Sequence, residues 1–271
     1  VTSIDFQQID TSIVKNMWAM FWYCSGLTAL DVSSFDTSKV TNMMQMFGGC
    51  QNLTELDLSN FKTDNVTNMA QMFQSCEKIT NLDLTGFTTG NVTDMNNMFV
   101  ACYKLPKLDL SKFDTSKVTN MKYMFAYCSE LTTLNLDKVK FNTAKVTDMQ
   151  FMFCSCRNLG ALDVSGFDTS EVTSMQNMFY ECHSLKSLDV SKFNTSNVQN
   201  MQRMFSFCVA VESLDVSGFQ TGNVTDMSYM FEDCRVIKSL DVSKFDTSNV
   251  KKMEVMFANC HALQSLNVSS F

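Results

Sequence analysis

The chain has 271 residues, of which 45% are hydrophobic, and a formal net charge of −7. This hydrophobic content is sufficient for a packed core, and the negative charge argues against nucleic acid as a ligand. No run of 18 apolar residues is present, so we expect no membrane insertion of this segment.

The sequence repeats one unit of 26 residues, for example "FDTSKVTNMMQMFGGCQNLTELDLSN". The first copy starts late, with Ile4 aligned to Leu30, and the last copy stops at Phe271. An unbroken period favours a single repeat domain over residues 1–271. Because both ends fall within a repeat, we expect a fragment of a longer chain.

One cysteine column marks the period, with a two-residue insertion between its fifth and sixth members: Cys24, Cys50, Cys76, Cys102, Cys128, Cys156, Cys182, Cys208, Cys234 and Cys260.

A short helix is the first element predicted within each copy. In "SKVTNMMQMFGGC", Val40, Met43, Phe47 and Cys50 form an apolar stripe with helical period. Thr37 lies just before this stripe and is a good N-cap residue. Methionine on such a buried face is expected to be core rather than a metal ligand.

A short strand is the second predicted element. In "LTELDLSNF", Leu56 and Leu58 point to one side and Asp57 points to the other. Strands of successive copies should pair in parallel, because the same columns recur. The predicted fold is an α/β right-handed solenoid of about ten coils, with a parallel β-sheet on the inner face and short helices on the outer face.

Eleven cysteines leave three readings open: disulfides, a metal site and buried thiols. Stacked helix ends lie farther apart than a disulfide allows, which favours buried thiols. Cys154 stands outside the column, at the position of Ala126, and we expect this outward or boundary site to hold the most reactive thiol. No cofactor or metal ligand set is predicted.

One acidic column lies within the predicted strand, and it could bind calcium or form a hydrogen-bonded ladder. Calcium takes six to eight oxygen ligands, more than one carboxylate per coil supplies. We therefore expect hydrogen bonds to the serine two residues on, or to backbone N–H groups. The column is Asp5, Asp31, Asp57, Asp83, Asp109, Asn135, Asp163, Asp189, Asp215, Asp241 and Asn267.

No motif of a nucleophile, zinc hydrolase or phosphate loop is present, and His183 and His261 read as surface residues. We therefore expect no enzyme activity.

Recognition of a partner should use positions that vary between copies. Exposed aromatic residues cluster at mid-chain and predict a binding patch, although they could instead cover seams between helices or contact a neighbouring domain: Tyr103, Tyr123, Tyr127 and Phe151.

The motif F-D-T-S-K-V-T-N-M-x-x-M-F-x-x-C-x-x-L-x-x-L-D-L resembles the bacterial surface repeat of the BspA-like leucine-rich-repeat group over almost the entire chain. A Phe-x-x-Cys element replaces the asparagine ladder of other leucine-rich repeats. The resemblance implies a leucine-rich-repeat-like solenoid, a secreted or cell-surface location, and an adhesin or ligand-binding module for a host or microbial protein or glycan. A structural stalk is the alternative. For its assembly we expect a monomer or a weak end-to-end dimer, with apolar columns exposed at Ile4, Phe6, Leu266 and Phe271.

Overall fold

The computed structural model describes residues 2, 4, 6 and 9–271, and successive copies of the repeat stack in it as coils. Strand β1 (Lys107–Asp109) pairs in parallel with β2 (Thr133–Asn135), and β3 (Ser239–Leu240) pairs in parallel with β4 (Ser265–Leu266). Each partner lies one repeat along the chain, as in the pairing of Leu108 with Leu134. The L-x-x-L-D-L segment therefore forms the predicted parallel strip, in very short strands.

The predicted helices are wrong, since none occurs in the part of the chain that the structure describes. Residues 43–50 form overlapping turns instead, with Met46 N–H donating to Met43 O at 3.2 Å and Cys50 N–H to Phe47 O at 3.2 Å. The N–H groups that alternate with these donate to the next coil, for example Phe47 to Met72 O at 3.0 Å and Gly49 to Gln74 O at 2.7 Å. An α-helix would keep these bonds inside the segment, whereas here half of them join neighbouring coils.

Within the described residues no helix is long and apolar enough to cross a membrane.

A second line of parallel bridges runs along the side of the solenoid just before these turns. Residues one repeat apart pair there, so the coils are held together on two sides. The line is Asn16, Asn42, Asn68, Asp94, Asn120, Asp148, Ser174, Asn200, Asp226 and Lys252.

Two positions in every turn segment have positive φ, such as 61° at Gln45 and 75° at Gly49. A left-handed conformation costs a non-glycine residue roughly 1–2 kcal/mol. The bond from Gln45 N–H to Ala70 O of the next coil, 2.9 Å, holds that conformation in place. The first left-handed column is Ala19, Gln45, Gln71, Asn97, Tyr123, Phe151, Asn177, Arg203, Tyr229 and Val255. The second left-handed column is Tyr23, Gly49, Ser75, Ala101, Tyr127, Ser155, Glu181, Phe207, Asp233 and Asn259.

The core consists of continuous columns of apolar side chains. Phe47 stacks on Phe73 with ring centroids 5.8 Å apart and planes within 7°, and Phe73 stacks on Phe99 in the same way at 5.7 Å. Met43 and Met46 are fully buried beside them, which confirms that the methionines belong to the core.

A buried threonine column, which sequence reasoning missed, forms a polar joint between coils. Thr37 Oγ1 donates to Lys62 O at 3.0 Å and accepts from Lys62 N–H at 2.7 Å. The Thr37 hydroxyl therefore acts as both donor and acceptor for the Lys62 backbone, in place of a backbone N–H and a backbone carbonyl. The signal was the constant threonine of F-x-T, seen at Thr11, Thr37, Thr63, Thr89, Thr115, Thr143, Thr169, Thr195 and Thr221.

The cysteine column supplies thiol donors along the core. Cys76 Sγ donates to Phe47 O at 3.3 Å, and the same oxygen accepts Cys50 N–H at 3.2 Å. All eleven cysteines are free, and burial raises the pKa of Cys50 and Cys128 to about 12. The expectation of buried thiols is confirmed, except at the half-buried Cys24 and Cys260.

Cys154 does not lie at an outward site as predicted, because only 1% of it is exposed. Its counterpart Ala126 is also fully buried. Its position does belong to the side of the turns that faces away from the core columns, but its small side chain is covered there, with Tyr127 and Ser155 in contact with it. Burial raises the pKa of Cys154 to about 11, which opposes formation of the reactive thiolate.

Of the four apolar side chains expected to be exposed at the two ends, only Phe271 is exposed. Phe6 is buried, with its ring edge-on to Phe35 at 5.0 Å, whereas Phe271 is exposed. Ile4 and Leu266 are half-buried.

The two-residue insertion leaves the stack as a surface bulge. Phe141 N–H donates to Asp137 O at 2.9 Å, and Val139 at the tip is 83% exposed. The columns on both sides remain in register, since Phe125 and Phe153 still stack at 5.4 Å.

Replacing Val255 with glycine should stabilise the protein. Val255 is β-branched and exposed and has φ of 63°, so glycine relieves backbone strain at little packing cost. We expect a melting temperature higher by about 1–3 °C. Val139→Gly is the control, because Val139 is exposed but outside the left-handed region, and there glycine should leave stability unchanged or lower it. Equal shifts in both variants would contradict the strain argument.

Native alkylation with iodoacetamide should label Cys24 and Cys260 first, because they are the half-buried thiols. Mass spectrometry with increasing reaction time should show the buried thiols, including Cys154, reacting only on unfolding. Early labelling at Cys154 would show that its site is open in solution.

Candidate binding face

All six tyrosines and both tryptophans of the chain belong to one side of the solenoid. We call this side the turn face, and define it as positions 44, 45, 48, 49 and 51 with their equivalents in other coils. Between these positions the residues equivalent to Met43, Met46 and Phe47 point into the core. The turns thus direct two residues away from the core columns for every two that enter them, which also produces the helix-like spacing. At the position equivalent to 48, small residues such as Ala126 and Cys154 are nevertheless buried.

Two of the predicted patch residues are in direct contact. Tyr123 and Phe151 occupy the first left-handed column in neighbouring coils, and their rings stack with centroids 4.4 Å apart and planes within 8°. Lys122 Nζ lies 5.7 Å from the Tyr123 ring centroid and 3.9 Å from the Asp148 carboxylate. Tyr123 and Tyr127 do not share a helix, because each is the left-handed residue of a separate turn.

Tyr127 is held against the next coil but keeps 40% of its surface exposed. Its N–H donates to Cys154 O at 2.7 Å. The pKa of Tyr127 is raised to about 12, first by burial and then by Cys154, with a smaller contribution from Tyr123. Tyr103 is exposed too, but its ring does not pack against another aromatic ring among the described residues.

A polar cluster that sequence reasoning missed lies beside Tyr127. The Glu181 carboxylate accepts bonds from Ser155 Oγ at 2.9 Å and from Arg157 Nη2 at 2.6 Å. Burial raises the pKa of Glu181, but the bonds from Arg157 and Ser155 outweigh it and hold the pKa below its usual value. Glu181 lies one coil beyond Ser155 and Arg157, so no local motif could reveal the cluster.

Aromatic contacts continue along the turn face beyond this cluster. The Tyr180 and Phe207 rings meet edge-on at 5.9 Å, and the Arg203 guanidinium lies 4.1 Å above the Tyr229 ring. His183 and His261 occupy the position equivalent to 51, and burial lowers the pKa of His183.

The acidic column on the strand side forms the expected local hydrogen bonds. Asp57 Oδ1 accepts Ser59 N–H at 2.9 Å, and this pattern recurs along the column. The Asp163 carboxylate also binds Lys138 Nζ at 2.7 Å. Asp5 lies outside the described residues, and among those described no group of three or more acidic, histidine or cysteine residues is placed to hold a metal ion.

A groove of about 620 Å³ opens on this strand side. Asp31, Glu55 and Asp57 are among its lining residues. It is the main structural alternative to the turn face as a place for ligand contact.

The stacked coils and the parallel pairing of their L-x-x-L-D-L segments define the class as a leucine-rich-repeat-like solenoid. A family model described as "Mycoplasma protein of unknown function, DUF285" matches residues 1–105, 74–161 and 155–271. The chain belongs to this family, and its resemblance to bacterial leucine-rich-repeat proteins is confirmed. No curated protein shows significant sequence similarity to it.

Several solved structures are similar at low identity. A leucine-rich repeat protein from Bacteroides ovatus is 16% identical, with 97% of this chain and 72% of that chain covered and a TM-score of 0.48. A leucine-rich repeat protein from Eubacterium ventriosum is 14% identical, with coverage of 90% and 86% and a TM-score of 0.39. A leucine rich cell surface protein from Faecalibacterium prausnitzii is 16% identical, with coverage of 94% and 73% and a TM-score of 0.35.

Acid should weaken the contribution of Asp163 to stability. Hydrogen bonds from Lys138 and Ser165 lower the pKa of Asp163 from 3.8 to about 2. The pKa of Asp163 is lower in the folded protein than in the unfolded chain. Ionised Asp163 therefore stabilises the folded state fully at a pH above its unfolded-state pKa, and this stabilisation is lost as the pH falls through its folded-state pKa. We expect Asp163→Asn to lower the free energy of unfolding at neutral pH by no more than about 1 kcal/mol for so exposed a pair, and to have no effect well below pH 2.

Asp189→Asn is the matched control, because Asp189 has the serine partner and no lysine in contact among its described neighbours. Its effect on the melting temperature should be smaller. Equal effects at both aspartates would mean that Lys138 contributes nothing.

Proposed function

We propose that the chain is a non-catalytic recognition module of a secreted or cell-surface protein, and that its turn face binds a macromolecular partner at Tyr123, Tyr127 and Phe151, with Tyr103 nearby. The observation that carries the proposal is a cluster of aromatic side chains at left-handed positions: Tyr123 and Phe151 are half-buried and stack across coils at 4.4 Å, and Tyr127 is exposed beside them. The leucine-rich-repeat resemblance implies the surface location.

The backbone does not require aromatic residues at these positions. The same columns hold Ala19, Gln71 and Ser75 in other coils with nearly the same φ. Stacking of Tyr123 on Phe151 stabilises the fold by roughly 0.5–1.5 kcal/mol, but it does not account for the exposed ring of Tyr127. A partner explains all three, since large aromatic side chains are the usual anchors of binding interfaces.

The charges around the patch favour a protein partner over a neutral glycan. Lys122 and Asp148 lie on one side of the aromatic pair, and the Arg157–Glu181 ion pair lies beside Tyr127. An aromatic centre with a polar rim of both signs is typical of protein interfaces. Electrostatic matching with such a rim supplies specificity.

The chemistry of the cysteines supports a non-catalytic role. Burial raises the pKa of these thiols, for example to about 12 at Cys128 and to about 11 at Cys154. A protonated buried thiol is a poor nucleophile and a poor metal ligand.

The alternative function is a stalk that presents other domains, which requires no binding by this face.

The combined change Tyr123→Ser, Tyr127→Ser and Phe151→Ser should weaken partner binding. We expect at least a tenfold loss of affinity, because the aromatic anchors are removed. Measurement of binding to immobilised matrix proteins and mucins would show it. The melting temperature should fall by only a few degrees, as the loss of the Tyr123–Phe151 stack requires.

The matched control replaces Tyr180, Phe207 and Tyr229 with serine, which removes three aromatic side chains from the same face outside the patch. This variant should bind as the unmodified protein does. Unweakened binding after the first triple change would move the site elsewhere, with the strand-side groove tested next. Failure of the unmodified protein to bind any of these ligands would favour the stalk.

A further inference from the structure

We propose a second site on the turn face, an aromatic seat formed by Trp18, Trp22 and Tyr23, that binds a neutral oligosaccharide. It lies four repeats from Tyr123 and does not depend on the mid-chain patch. Trp18 and Tyr23 are each 57% exposed, and the Trp22 and Tyr23 rings meet at right angles with centroids 4.7 Å apart.

The next coil is shaped to receive this pair of rings. Gly48 and Gly49 form the only Gly-Gly pair in the sequence, and they occupy the positions equivalent to Trp22 and Tyr23. A Cβ on Gly48 would lie 2.2 Å from the Trp22 ring, and a Cβ on Gly49 would lie 2.9 Å from the Tyr23 ring. Any larger residue would therefore displace the rings, so the seat is a specific arrangement of two coils.

Hydrogen bonds fix the third ring and supply polar groups beside it. Trp18 Nε1 donates to Gln45 Oε1 at 3.0 Å, and Gln45 Nε2 in turn donates to Gln71 Oε1. The indole is thus held by a row of amides that runs along the first left-handed column. Amide groups both donate and accept, as hydroxyl-rich ligands require.

The composition of the seat favours a neutral ligand over a charged one. Its rings and its amides carry no formal charge, whereas the mid-chain patch is bordered by Lys122, Asp148, Arg157 and Glu181. A pyranose ring offers apolar C–H faces that an aromatic ring can cover, together with hydroxyl groups that amides can bind. A charged protein segment would find no matching partner among these side chains, so the observations favour an oligosaccharide.

The two tryptophans make the experiment selective, because they are the only ones in the chain and both lie in the seat. Tryptophan emission of the intact chain should be titrated with cellotetraose, maltotetraose and N-acetylchitotetraose up to millimolar concentrations. We expect a saturable shift of the emission with at least one of them. Trp18→Ala should weaken that binding by about tenfold or more.

Gly48→Ala tests the seat without removing a ring, since the added methyl must displace Trp22. It should weaken binding while Trp18 remains, and its melting curve shows whether the fold is kept. The serine variant at Tyr123, Tyr127 and Phe151 should bind the oligosaccharide normally, which separates this site from the proposed protein site.

Three results would overturn the proposal. The first is unchanged emission with all three tetrasaccharides. The second is saturable binding that Trp18→Ala does not weaken, which would place the sugar elsewhere. The third is a loss of matrix-protein binding in Trp18→Ala without any response to sugars, which would make the seat a protein contact.

Discussion

The fold depends on one pattern of backbone hydrogen bonds in the turn segment, where alternate N–H groups leave their own coil. Gln45 and Phe47 donate to the next coil, and the residues between them close turns within their own coil. This division demands a left-handed residue at two positions in every repeat and fixes the register of all the core columns. The insertion before Phe141 shows how strict the register is, because the extra residues leave the stack while Phe125 and Phe153 remain stacked.

Sequence periodicity predicted the stacked coils, the parallel strip and the core columns, because each follows from which residues are apolar. It failed for the helices, since M-x-x-M-F-x-x-C places core residues at the same spacing in a helix and in successive turns. The exposure of Cys154 was predicted wrongly because its burial depends on the neighbouring side chains of Tyr127 and Ser155. In the candidate site, the neighbours Tyr123 and Phe151 were predictable from their shared column. The bonds of Glu181 to Arg157 and Ser155 were not, because they depend on side-chain conformations across coils.

The same backbone pattern explains why variation concentrates on the turn face. Core columns must repeat, since each side chain packs against its own copies one coil away. A left-handed position is constrained in its backbone and free in its side chain, so it accepts Gln45, Tyr123, Arg203 or Val255 alike. The strain of a non-glycine residue there is tolerated because the next coil holds its N–H. A face of this kind can change its ligand by substitution without any change in the fold.

The two proposed sites differ in charge but share one rigid scaffold, which sets the distance between them. Ala19, next to Trp18, and Tyr123 belong to one column four repeats apart, or about 20 Å at the usual spacing of paired strands. Hydrogen bonds between every pair of coils leave little freedom in that distance. A glycoprotein whose sugar and polypeptide reach both sites would bind the second one as an intramolecular step. Two individually weak contacts, one neutral and one charged, would then combine into selective attachment, whereas a sugar or a protein alone would be held weakly.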